Sequence, residues 1–526
     1  MENLGCVNLY EMTAKSNENL RVLLEQRTRT NAEKIFLFSE ADGREWTYSD
    51  FNKSVNRAAN MLKANNIGRG DVVSLLLPNS AEYIIAYFAC FKLGAIANPV
   101  NSLLKAEEIE FVVGNSEAKL LLAGSQFALT IENITLPNVI KFDDEKITEN
   151  FSADLEKISI KTDDEAIIIY TSGTTGKPKG CLLTHGNLIA NARQIAEWLG
   201  FNEQDRLLTI MPLFHMNAVS VTTMTALYAS ASTIVSRKFS ASKFWQIVAD
   251  YKITSFGSVA TMLSMLLQKE EEKRREKEAE KNHASNEQRT TDNGRLRFAM
   301  CGSAPVPAGV LKRFEETFGC LVIEGYGLSE STCRSTFNPP NTNRKPGSCG
   351  RPIGNQMKII DENDRELPNG ELGEIVLRGE NIFKGYFKND EATERAFRDG
   401  WFHTGDIGYR DADGFFYIAD RKSDMIIRGG ENIYPREIDE LLYTHPAVQS
   451  AAVIGVPDEL YGEEVAAFVV LKTDETVSEE DLIKFCKEHL ADFKCPKKVY
   501  FVDDIPKGAT GKLLKRELAR IYTGKK

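Results

Sequence analysis

Short apolar runs rich in β-branched residues alternate with amphipathic helical patterns through most of the chain before Pro352. Residues 71–77 (DVVSLLL) and 166–170 (AIIIY) are two such runs, and residues 47–65 and 81–93 are two of the helical patterns. Alternation of this kind predicts parallel sheets covered by helices. A chain of 526 residues exceeds the length at which a single core stops growing, so we expect more than one sheet and more than one domain.

The pattern changes after Pro352, where strands are shorter and turns such as residues 368–370 (PNG) and 411–414 (DADG) are frequent. This predicts a small antiparallel β unit. The C-terminal part of the chain is again a mixture, in which residues 449–456 and 466–471 are predicted to be strands and residues 435–444 and 478–489 to be helices. The expected fold is therefore α/β: a large N-terminal domain, residues 1–421, of αβ-layered sheets plus the antiparallel unit, hinged to a small, mobile α+β C-terminal domain, residues 422–526.

Charge and cysteine content exclude several classes of protein. With 65 basic and 75 acidic residues, the net charge of −10 offers no overall attraction to nucleic acid. The nine cysteines show no Cys-x-x-Cys spacing, which argues against a disulfide framework or a structural zinc site. The N-terminus lacks a signal-peptide pattern. The most apolar stretch, residues 81–100, contains Glu82, Lys92 and Gly94 and does not read as a membrane span, so we expect a cytoplasmic protein.

The most informative motif is residues 170–180 (YTSGTTGKPKG), directly after an apolar run. Glycines allow backbone N–H groups to face an anion, hydroxyls add donors, and lysines supply positive charge. The motif therefore predicts a binding site for a polyphosphate. It is not a P-loop, which has four residues between its first glycine and Gly-Lys-Ser/Thr; here two residues separate them, and a proline follows Lys177.

This motif resembles the signature loop of the adenylate-forming superfamily, which includes acyl-CoA synthetases, luciferases and peptide-synthetase adenylation domains. The resemblance implies an ATP site in which the β- and γ-phosphates are bound by Thr171, Ser172, Gly173, Thr174, Thr175 and Lys179.

Two further motifs of the family follow in the same order. Residues 302–305 (GSAP) resemble the loop that lines the adenine site, and residues 324–330 (EGYGLSE) resemble the motif whose aromatic ring lies on the adenine. The terminal carboxylate of the second motif, Glu330, is implied to help hold Mg²⁺. The ATP-binding residues implied by these motifs are Gly302, Ser303, Ala304, Gly325, Tyr326 and Gly327.

The next motifs lie near the expected domain boundary. Asp406, in residues 400–406 (GWFHTGD), resembles the aspartate that accepts hydrogen bonds from both ribose hydroxyls, and a two-oxygen acceptor suits that task. Arg421 is implied to contact ribose or phosphate. Ser423 occupies the hinge position, where the family often has Asp or Lys.

Two motifs of the C-terminal part are assigned to the thiol and to catalysis. Gly429 and Gly430 resemble the pair that lines the tunnel for the pantetheine arm of coenzyme A. Residues 505–513 (IPKGATGKL) resemble the catalytic-lysine motif. Gly508 replaces the threonine expected there, but the lysine, Lys512, is present.

The segment 211–217 (MPLFHMN) stands where the family gates the acyl pocket. His215 in this segment joins Lys512 and Glu330 as a candidate catalytic residue. The other residues expected to line the acyl pocket are Phe214, Ser258, Val259, Ala260 and Met262, together with Gly302 and Gly327.

The resemblance implies an AMP-forming acid–thiol ligase that uses ATP, Mg²⁺ and coenzyme A. A carboxylate attacks the α-phosphorus of ATP, pyrophosphate leaves, and the acyl-adenylate then passes its acyl group to the thiol. Glu330-bound Mg²⁺, Lys179 and Lys512 are expected to offset negative charge in the first step. Rotation of the small domain about residues 421–423 is expected to bring Gly429 and Gly430 to the site for the second.

Three alternatives share these motifs: a stand-alone acyl-AMP ligase, a luciferase-like oxygenase, and a non-catalytic nucleotide-binding regulator. The presence of Glu330, Asp406 and Lys512 together argues against the regulator. The sequence shows no carrier domain after Lys512, which favours free coenzyme A as the thiol.

The identity of the acid stays open. Residues 211–254 and 428–432 resemble bacterial crotonobetaine/carnitine-CoA ligases. A quaternary ammonium substrate should require an aromatic cage or a carboxylate, and the expected lining offers Phe214 and Phe256 but no acidic residue. A carnitine- or crotonobetaine-like acid and a short- to medium-chain fatty or hydroxy acid are both compatible with the sequence.

Overall fold

The computed structural model of the protein describes residues 18–171, 178–280, 296–303, 306–508 and 513–523. Two sheets of seven strands each form the centre of the first part of the chain. In spatial order, the first sheet contains Leu321–Glu324, Phe298–Cys301, Ser255–Ser258, Arg206–Thr209, Ser232–Val235, Ile35–Ser39 and Glu45–Thr47. The second contains Gly385–Tyr386, Lys179–Thr184, Glu165–Thr171, Ile96–Pro99, Val72–Leu76, Leu120–Ala123 and Asn138–Lys141.

Most neighbouring strands in both sheets are parallel, as the alternating sequence predicts. The exceptions are at the edges: Ile35–Ser39 is antiparallel to Glu45–Thr47, and Lys179–Thr184 is antiparallel to both of its neighbours. Parallel strands covered on both faces are apolar throughout, and Val72–Leu76 and Leu120–Ala123 are buried at every position.

The helices begin and end at recognisable sequence signals. Tyr48–Ala64 starts after Thr47, whose hydroxyl caps the first turn. Ala81–Leu93 starts after Ser80 and ends at Gly94, whose φ of 69° is readily adopted by glycine. The other α-helices before residue 320 are Leu20–Thr30, Ala106–Asn115, Ala128–Ile131, His185–Leu199, Thr225–Tyr228, Phe244–Asp250, Ala260–Glu280 and Ala308–Phe318.

One helical segment, Asn217–Met224, is a π-helix and is buried at every position. The sequence pattern did not predict it, because its apolar and small polar residues carry no helical periodicity. π-helical turns are rare and are found mostly at functional sites.

An antiparallel sheet follows, as the turn-rich sequence predicts. Its strands are Gln356–Ile360, Gly373–Arg378, Trp401–Arg410, Phe397–Arg398 and Phe416–Arg421. A short ribbon of Thr336–Phe337 and Arg351–Pro352 precedes it, and the helix Asp390–Ala396 packs beside it.

The C-terminal part forms a mixed sheet with helices. Its strands are Ile426–Arg428, Glu431–Ile433, Val448–Asp458, Gly462–Leu471 and Lys498–Phe501, and its α-helices are Pro435–Thr444, Glu479–His489 and Lys515–Thr523. The helix predicted over residues 435–444 has both predicted bounds. The helix predicted from residue 478 begins one residue later, because the Ser478 side chain is its cap.

The hydrophobic clusters of the described residues are separate on the two sides of residue 421. One large cluster extends from Leu20 to Phe416 and contains the two seven-stranded sheets. Two further clusters lie on the faces of the C-terminal sheet. The predicted α/β fold with a small C-terminal domain is thus confirmed, whereas the boundary between residues 421 and 422 stays a prediction. Among the described residues, no helix combines the length and apolar character needed to cross a membrane.

Candidate active site

A cavity of about 660 Å³ lies between the large and the small parts of the chain. Its walls include residues at the carboxyl ends of the strands Phe298–Cys301 and Leu321–Glu324, and residues of the C-terminal part such as Lys507 and Lys515. Parallel strands present their carboxyl ends at one edge of a sheet, which is the usual place for a ligand in α/β proteins.

The cavity brings together residues of four motifs that are far apart in sequence. Those assigned to ATP that line it are Gly302, Ser303, Gly325, Tyr326, Gly327, Asp406 and Arg421. Gly302 and Gly325 come together because the residues before them, Cys301 and Glu324, are partners in adjacent parallel strands. Ala304, also assigned to ATP, lies outside the described residues.

Tyr326, Asp406 and Arg421 form one contact group. The Tyr326 hydroxyl donates to Asp406 Oδ2 at 2.5 Å, and Arg421 Nε lies 3.3 Å from Asp406 Oδ1. Burial and the Asp406 carboxylate raise the pKa of Tyr326 well above its usual value, so the phenol remains a donor. A carboxylate beside a flat ring suits the hydroxyls of a ribose and the face of a base.

The phosphate motif lies in the sequence between two strands that pair antiparallel to each other. Thr171 and Lys179 are partners in the antiparallel strands on its two sides, so the strand register brings both ends of the loop together. Ser172, Gly173, Thr174 and Thr175 lie outside the described residues, and their assignment to ATP stays a prediction.

Lys179 and Glu330, assigned by separate motifs to phosphate and Mg²⁺, both contact Tyr386. Lys179 Nζ is 5.3 Å from the centroid of the Tyr386 ring, and the Tyr386 hydroxyl donates to Glu330 Oε1 at 3.1 Å. Sequence reasoning missed Tyr386. The strand Gly385–Tyr386 adds to the edge of the second sheet beside Lys179–Thr184, a long-range pairing that no local pattern indicates.

Glu330 fits a magnesium ligand that acts together with a bound nucleotide. Burial raises the pKa of its carboxyl group, and a cation next to it would restore the ionised form. The described residues contain no group of three or more His, Cys, Asp or Glu side chains able to hold a metal. Mg²⁺ commonly binds through one or two carboxylates plus substrate phosphates, so a single carboxylate facing a triphosphate is sufficient.

Glu324 is a further carboxyl group of the cavity wall that sequence reasoning missed. Burial raises its pKa to about 7, although it accepts a hydrogen bond from the Gly347 N–H at 3.0 Å. It begins the EGYGLSE motif, and its position at the last residue of a buried parallel strand was the available signal.

The residues expected to line the acyl pocket are not all in this cavity. Of the set, Ala260 lines it, as do Gly302 and Gly327. Ser258 is fully buried and donates to the Met300 carbonyl at 3.0 Å. Phe214, Val259 and Met262 are buried in the core, and none of these four is part of the cavity lining.

His215 packs against Phe214, with ring centroids 4.6 Å apart. Burial lowers the pKa of His215 to about 4, so the imidazole is neutral near pH 7. Its Nε2 atom is buried and has no hydrogen-bond partner among the described residues. Two residues further on, both amide atoms of Asn217 are in the same situation, and sequence reasoning did not identify Asn217.

The catalytic-lysine motif lies at the cavity, although Lys512 itself is outside the described residues. Lys507 and Leu513 form an antiparallel bridge, and the Leu514 N–H donates to the Pro506 carbonyl at 2.8 Å. Lys507, Leu513 and Lys515 all line the cavity. The described residues near both ends of the gap at positions 509–512, Lys507 and Leu513, therefore lie at the wall of the cavity.

Gly429 and Gly430 form the turn between the strands Ile426–Arg428 and Glu431–Ile433, with φ of 59° and 92°. The Gly429 N–H donates to the Tyr461 carbonyl at 2.9 Å. Neither glycine is part of the cavity lining.

Ser423, assigned to the hinge, lies in the exposed turn after Phe416–Arg421, and its hydroxyl donates to Asp424 Oδ1 at 2.9 Å. The turn joins the last strand of the large part of the chain to the first strand of the small part. Its exposure is compatible with a change in backbone angles at this position.

These features together are typical of a nucleotide-dependent ligase: an aromatic ring, a carboxylate and an arginine in contact at the end of a parallel sheet, a glycine-rich motif between two antiparallel strands, a carboxylate bonded to a tyrosine, and residues of a C-terminal lysine motif at the same cavity. The chain belongs to the AMP-binding enzyme family. Residues 24–387 match the model of the AMP-binding enzyme, and residues 437–512 match that of the AMP-binding enzyme C-terminal domain.

Individual relatives agree with this membership. The chain is 36% identical to the oxalate–CoA ligase of Arabidopsis thaliana, covering 91% of this chain and 94% of that protein. It is 34% identical to the crotonobetaine/carnitine–CoA ligase of Citrobacter koseri, covering 96% and 100%. The structure of o-succinylbenzoate CoA synthetase from Bacillus subtilis with its acyl-adenylate superposes with a TM-score of 0.82, at 33% identity, covering 96% and 98%. The protein is thus an AMP-forming acyl-CoA synthetase that uses ATP and coenzyme A.

Proposed function

We propose that this enzyme activates a short- to medium-chain fatty, hydroxy or otherwise small acid through an acyl-adenylate and transfers the acyl group to coenzyme A. The observation that supports this most strongly is the cavity between the two parts of the chain. Tyr326, Asp406 and Arg421 meet there, and Lys507 and Leu513 of the catalytic-lysine motif line the same cavity. Adenylation and thiol transfer both require a site closed on two sides, since water would hydrolyse the mixed anhydride.

The proposed roles of the site residues are supported by the family motifs and, where the residues are described, by their contacts. Tyr326 stacks on the adenine and Asp406 accepts from the ribose hydroxyls, while Arg421 neutralises Asp406 and contacts the ribose or a phosphate. Lys179 and the hydroxyls of the preceding loop bind the β- and γ-phosphates. Bound at Glu330, Mg²⁺ would supply positive charge to the phosphate oxygens.

Lys512 stabilises the charge that develops on the carboxylate and the α-phosphate in the first step. We propose that residues 1–421 and 422–526 are separate domains and that the small one then rotates about Ser423. The rotation removes Lys512 and brings Gly429 and Gly430 to the cavity, where the absence of side chains leaves room for the pantetheine arm.

A quaternary ammonium acid is disfavoured by the packing of the two available aromatic rings. Phe256 is fully buried and makes an edge contact with Phe244, with centroids 4.9 Å apart. Phe214 packs on His215. Both rings are buried, which leaves little open ring surface for a cage around a cation. The relatives reported above are named for acids of different charge, so similarity alone does not select the acid.

The test is a product analysis. The purified protein is incubated with ATP, Mg²⁺, coenzyme A and a panel of carnitine, crotonobetaine, short- and medium-chain fatty, hydroxy and aryl acids, and products are identified by mass spectrometry. We expect an acyl-CoA and an equal amount of AMP. Acyl-AMP without acyl-CoA would support a stand-alone acyl-AMP ligase, and nucleotide binding without pyrophosphate exchange for any acid would contradict the proposed function.

A further inference from the structure

Arg334 is a fully buried cation without an anionic partner among the described residues. It is the largest fully buried side chain and is 1% exposed. Its Nη1 donates to the Cys333 carbonyl at 3.3 Å, but Nε and Nη2 have no hydrogen-bond partner. The guanidinium carbon lies 5.5 Å from the centroid of the Phe337 ring, a contact that compensates only a small part of the lost hydration.

Burial of this kind is costly and needs an explanation. A guanidinium is not deprotonated in proteins, so Arg334 cannot avoid the cost by becoming neutral, as a lysine or histidine can. Mutational data indicate that an unpaired buried charge destabilises a fold by roughly several kcal/mol. Elsewhere in the same domain the chain follows the usual rule: Arg297 is paired with the buried Asp205 at 2.9 Å.

The Arg334 guanidinium lies directly behind Gly302, a residue of the cavity wall, although Arg334 itself is not part of the lining. A Cβ atom built on Gly302 would be 2.6 Å from Arg334 Nη2 and 2.8 Å from its Cζ. Gly302 lines the cavity. The guanidinium therefore fills the space that a side chain at position 302 would occupy.

A second unsatisfied polar group lies over the same face of the sheet. A Cβ atom on Gly257 would be 2.6 Å from Asn217 Oδ1, and both amide atoms of Asn217 lack partners. Gly257 is the partner of Met300 in the neighbouring parallel strand, and Gly302 is two residues beyond Met300. Partner residues of adjacent strands point to the same face, so positions 257 and 300 share one face, and Gly302 follows directly after the strand ends at Cys301.

The backbone that carries Arg334 is fixed from the same direction. The Asn191 amide donates to the Arg334 carbonyl at 2.6 Å and accepts from the Arg334 N–H at 3.3 Å. Ser220, in the π-helix Asn217–Met224, donates to the same Asn191 at 2.9 Å. The arginine and the π-helix are thus held in a fixed relation through one side chain.

We propose that Arg334, assisted by Asn217, binds a second acidic group of the substrate, so that the enzyme acts on short acids that carry a carboxylate or sulfonate in addition to the carboxylate that is activated. The proposal rests on the proposed function, since it assigns the substrate of that same site. A guanidinium forms two parallel hydrogen bonds with a carboxylate, and Asn217 offers an amide donor. A cationic acid would be repelled.

The experiment compares matched acids that differ by one charge. The kcat/KM of the wild type is measured with butanoic, butanedioic and 3-sulfopropanoic acids, and with diacids of two to six carbons, at saturating ATP and coenzyme A. We expect the kcat/KM of at least one diacid or sulfonated acid to exceed that of butanoic acid by about 100-fold, the size of effect expected for one buried charged contact. The carboxylate and sulfonate arms show which acidic group is preferred.

Arg334→Met removes the charge while keeping an unbranched side chain. We expect it to lose about 100-fold in kcat/KM for the preferred acid, mainly through KM, with the KM for ATP unchanged within about threefold. Arg313→Met, at an exposed ion pair with Glu271, is the matched control and should keep the wild-type values. The thermal midpoint of Arg334→Met without substrate should rise, since an unpaired buried cation is removed.

The outcomes separate the two proposals. If monoacids are converted to acyl-CoA and no diacid or sulfonated acid is preferred by the wild type, the second acidic group is wrong and the proposed function stands. If no acid supports pyrophosphate exchange, the proposed function itself is wrong. A fall in the thermal midpoint of Arg334→Met, with an equal loss of kcat/KM for all acids, would show that the arginine is structural. The comparison of acids with the wild type tests the second acidic group even if this variant does not fold.

Discussion

At the scale of single residues, Asp406 connects the aromatic ring and the arginine of the nucleotide site. Asp406→Asn keeps the shape but removes the charge that accepts from Tyr326 and pairs with Arg421. We expect the KM for ATP to rise about 10- to 100-fold, the range for loss of a charge-assisted hydrogen bond. Steady-state kinetics measures this, with Asp413→Asn, an exposed carboxylate of the same sheet, as the control. An unchanged KM would remove Asp406 from the ribose site.

Lys512 is expected to act in only one of the two half-reactions. Lys512→Ala should lower pyrophosphate exchange by at least about 100-fold, as loss of a positioned cation does, and leave acyl-CoA formation from supplied acyl-AMP nearly unchanged. Lys507→Ala tests a second lysine of the same cavity and should leave the exchange far less affected. Equal loss of both half-reactions in Lys512→Ala would contradict the proposed role.

His215 gives the protein a pH-dependent term in stability. Its pKa in the folded state, about 4, lies below the ordinary value of 6.5 because of burial, so the unfolded chain takes up the proton first as the pH falls. The stabilising contribution is complete above about pH 6.5 and is lost towards pH 4, by about 2 kcal/mol between pH 7 and pH 5.

Comparison with His215→Phe isolates the contribution of His215 to the pH dependence of stability. Glu324, whose pKa is raised, contributes with the opposite sign, but it does so equally in both proteins and cancels in the difference. Urea unfolding at pH 7, 6 and 5 should show the wild type losing stability relative to the variant. A constant difference would mean that the imidazole is accessible to protons in the folded state.

Sequence reasoning found the residues that belong to contiguous motifs and missed those placed by tertiary structure. Tyr326 and Asp406 were assigned from separate motifs, and the structure brings them into contact. Tyr386 and Arg334 were not identified, because an edge-strand pairing and a buried charge without a partner have no local sequence signature. The roles of Ser172 and Lys512 rest on the motifs alone.

At the scale of secondary-structure elements, the carboxyl ends of the strands are built around glycine. Gly302→Ala should place a methyl group 2.6 Å from Arg334 Nη2 and 2.8 Å from the Gly325 carbonyl. We expect a loss of about 1–3 kcal/mol in the free energy of unfolding, typical of overpacking, together with impaired acid activation. Thermal or urea unfolding measures the first effect and pyrophosphate exchange the second.

Gly309→Ala is the matched control for that substitution. Gly309 lies in the helix Ala308–Phe318, where an added Cβ meets nothing within 4 Å. It should be neutral or stabilise by up to about 1 kcal/mol through helix propensity. Destabilisation of both variants by the same amount would mean that the effect at position 302 is not due to the close contacts.

Element type was largely predictable from the sequence, and pairing was not. The apolar runs predicted the strands Val72–Leu76 and Glu165–Thr171 to within one residue at each end, and the helix Pro435–Thr444 was predicted with both of its bounds. The π-helix Asn217–Met224 was missed because burial on every side removes the periodicity from which helices are identified.

At the scale of the whole molecule, the single turn at Ser423 connects the two parts that share the cavity. The Ser423 N–H donates no hydrogen bond to any described residue, whereas the N–H groups of Lys422 and Asp424 each donate to a backbone carbonyl. Ser423→Pro fixes φ at this residue and should restrict rotation about the turn. We expect pyrophosphate exchange to persist and overall acyl-CoA formation to fall at least about tenfold. Persistence of both activities would exclude a hinge at this residue.

The arrangement of the small domain fixes the order of events during turnover. In the described structure Lys507 and Leu513, which flank Lys512 in the sequence, line the cavity, whereas Gly429 and Gly430 do not. On the proposed roles, pyrophosphate leaves before coenzyme A binds, so no complex contains both. Double-reciprocal plots of velocity against ATP at several fixed coenzyme A concentrations should then be parallel, and coenzyme A should not compete with ATP. The same arrangement keeps the thiol of coenzyme A away from the site while ATP is bound, so that ATP is consumed only when an acid has been activated.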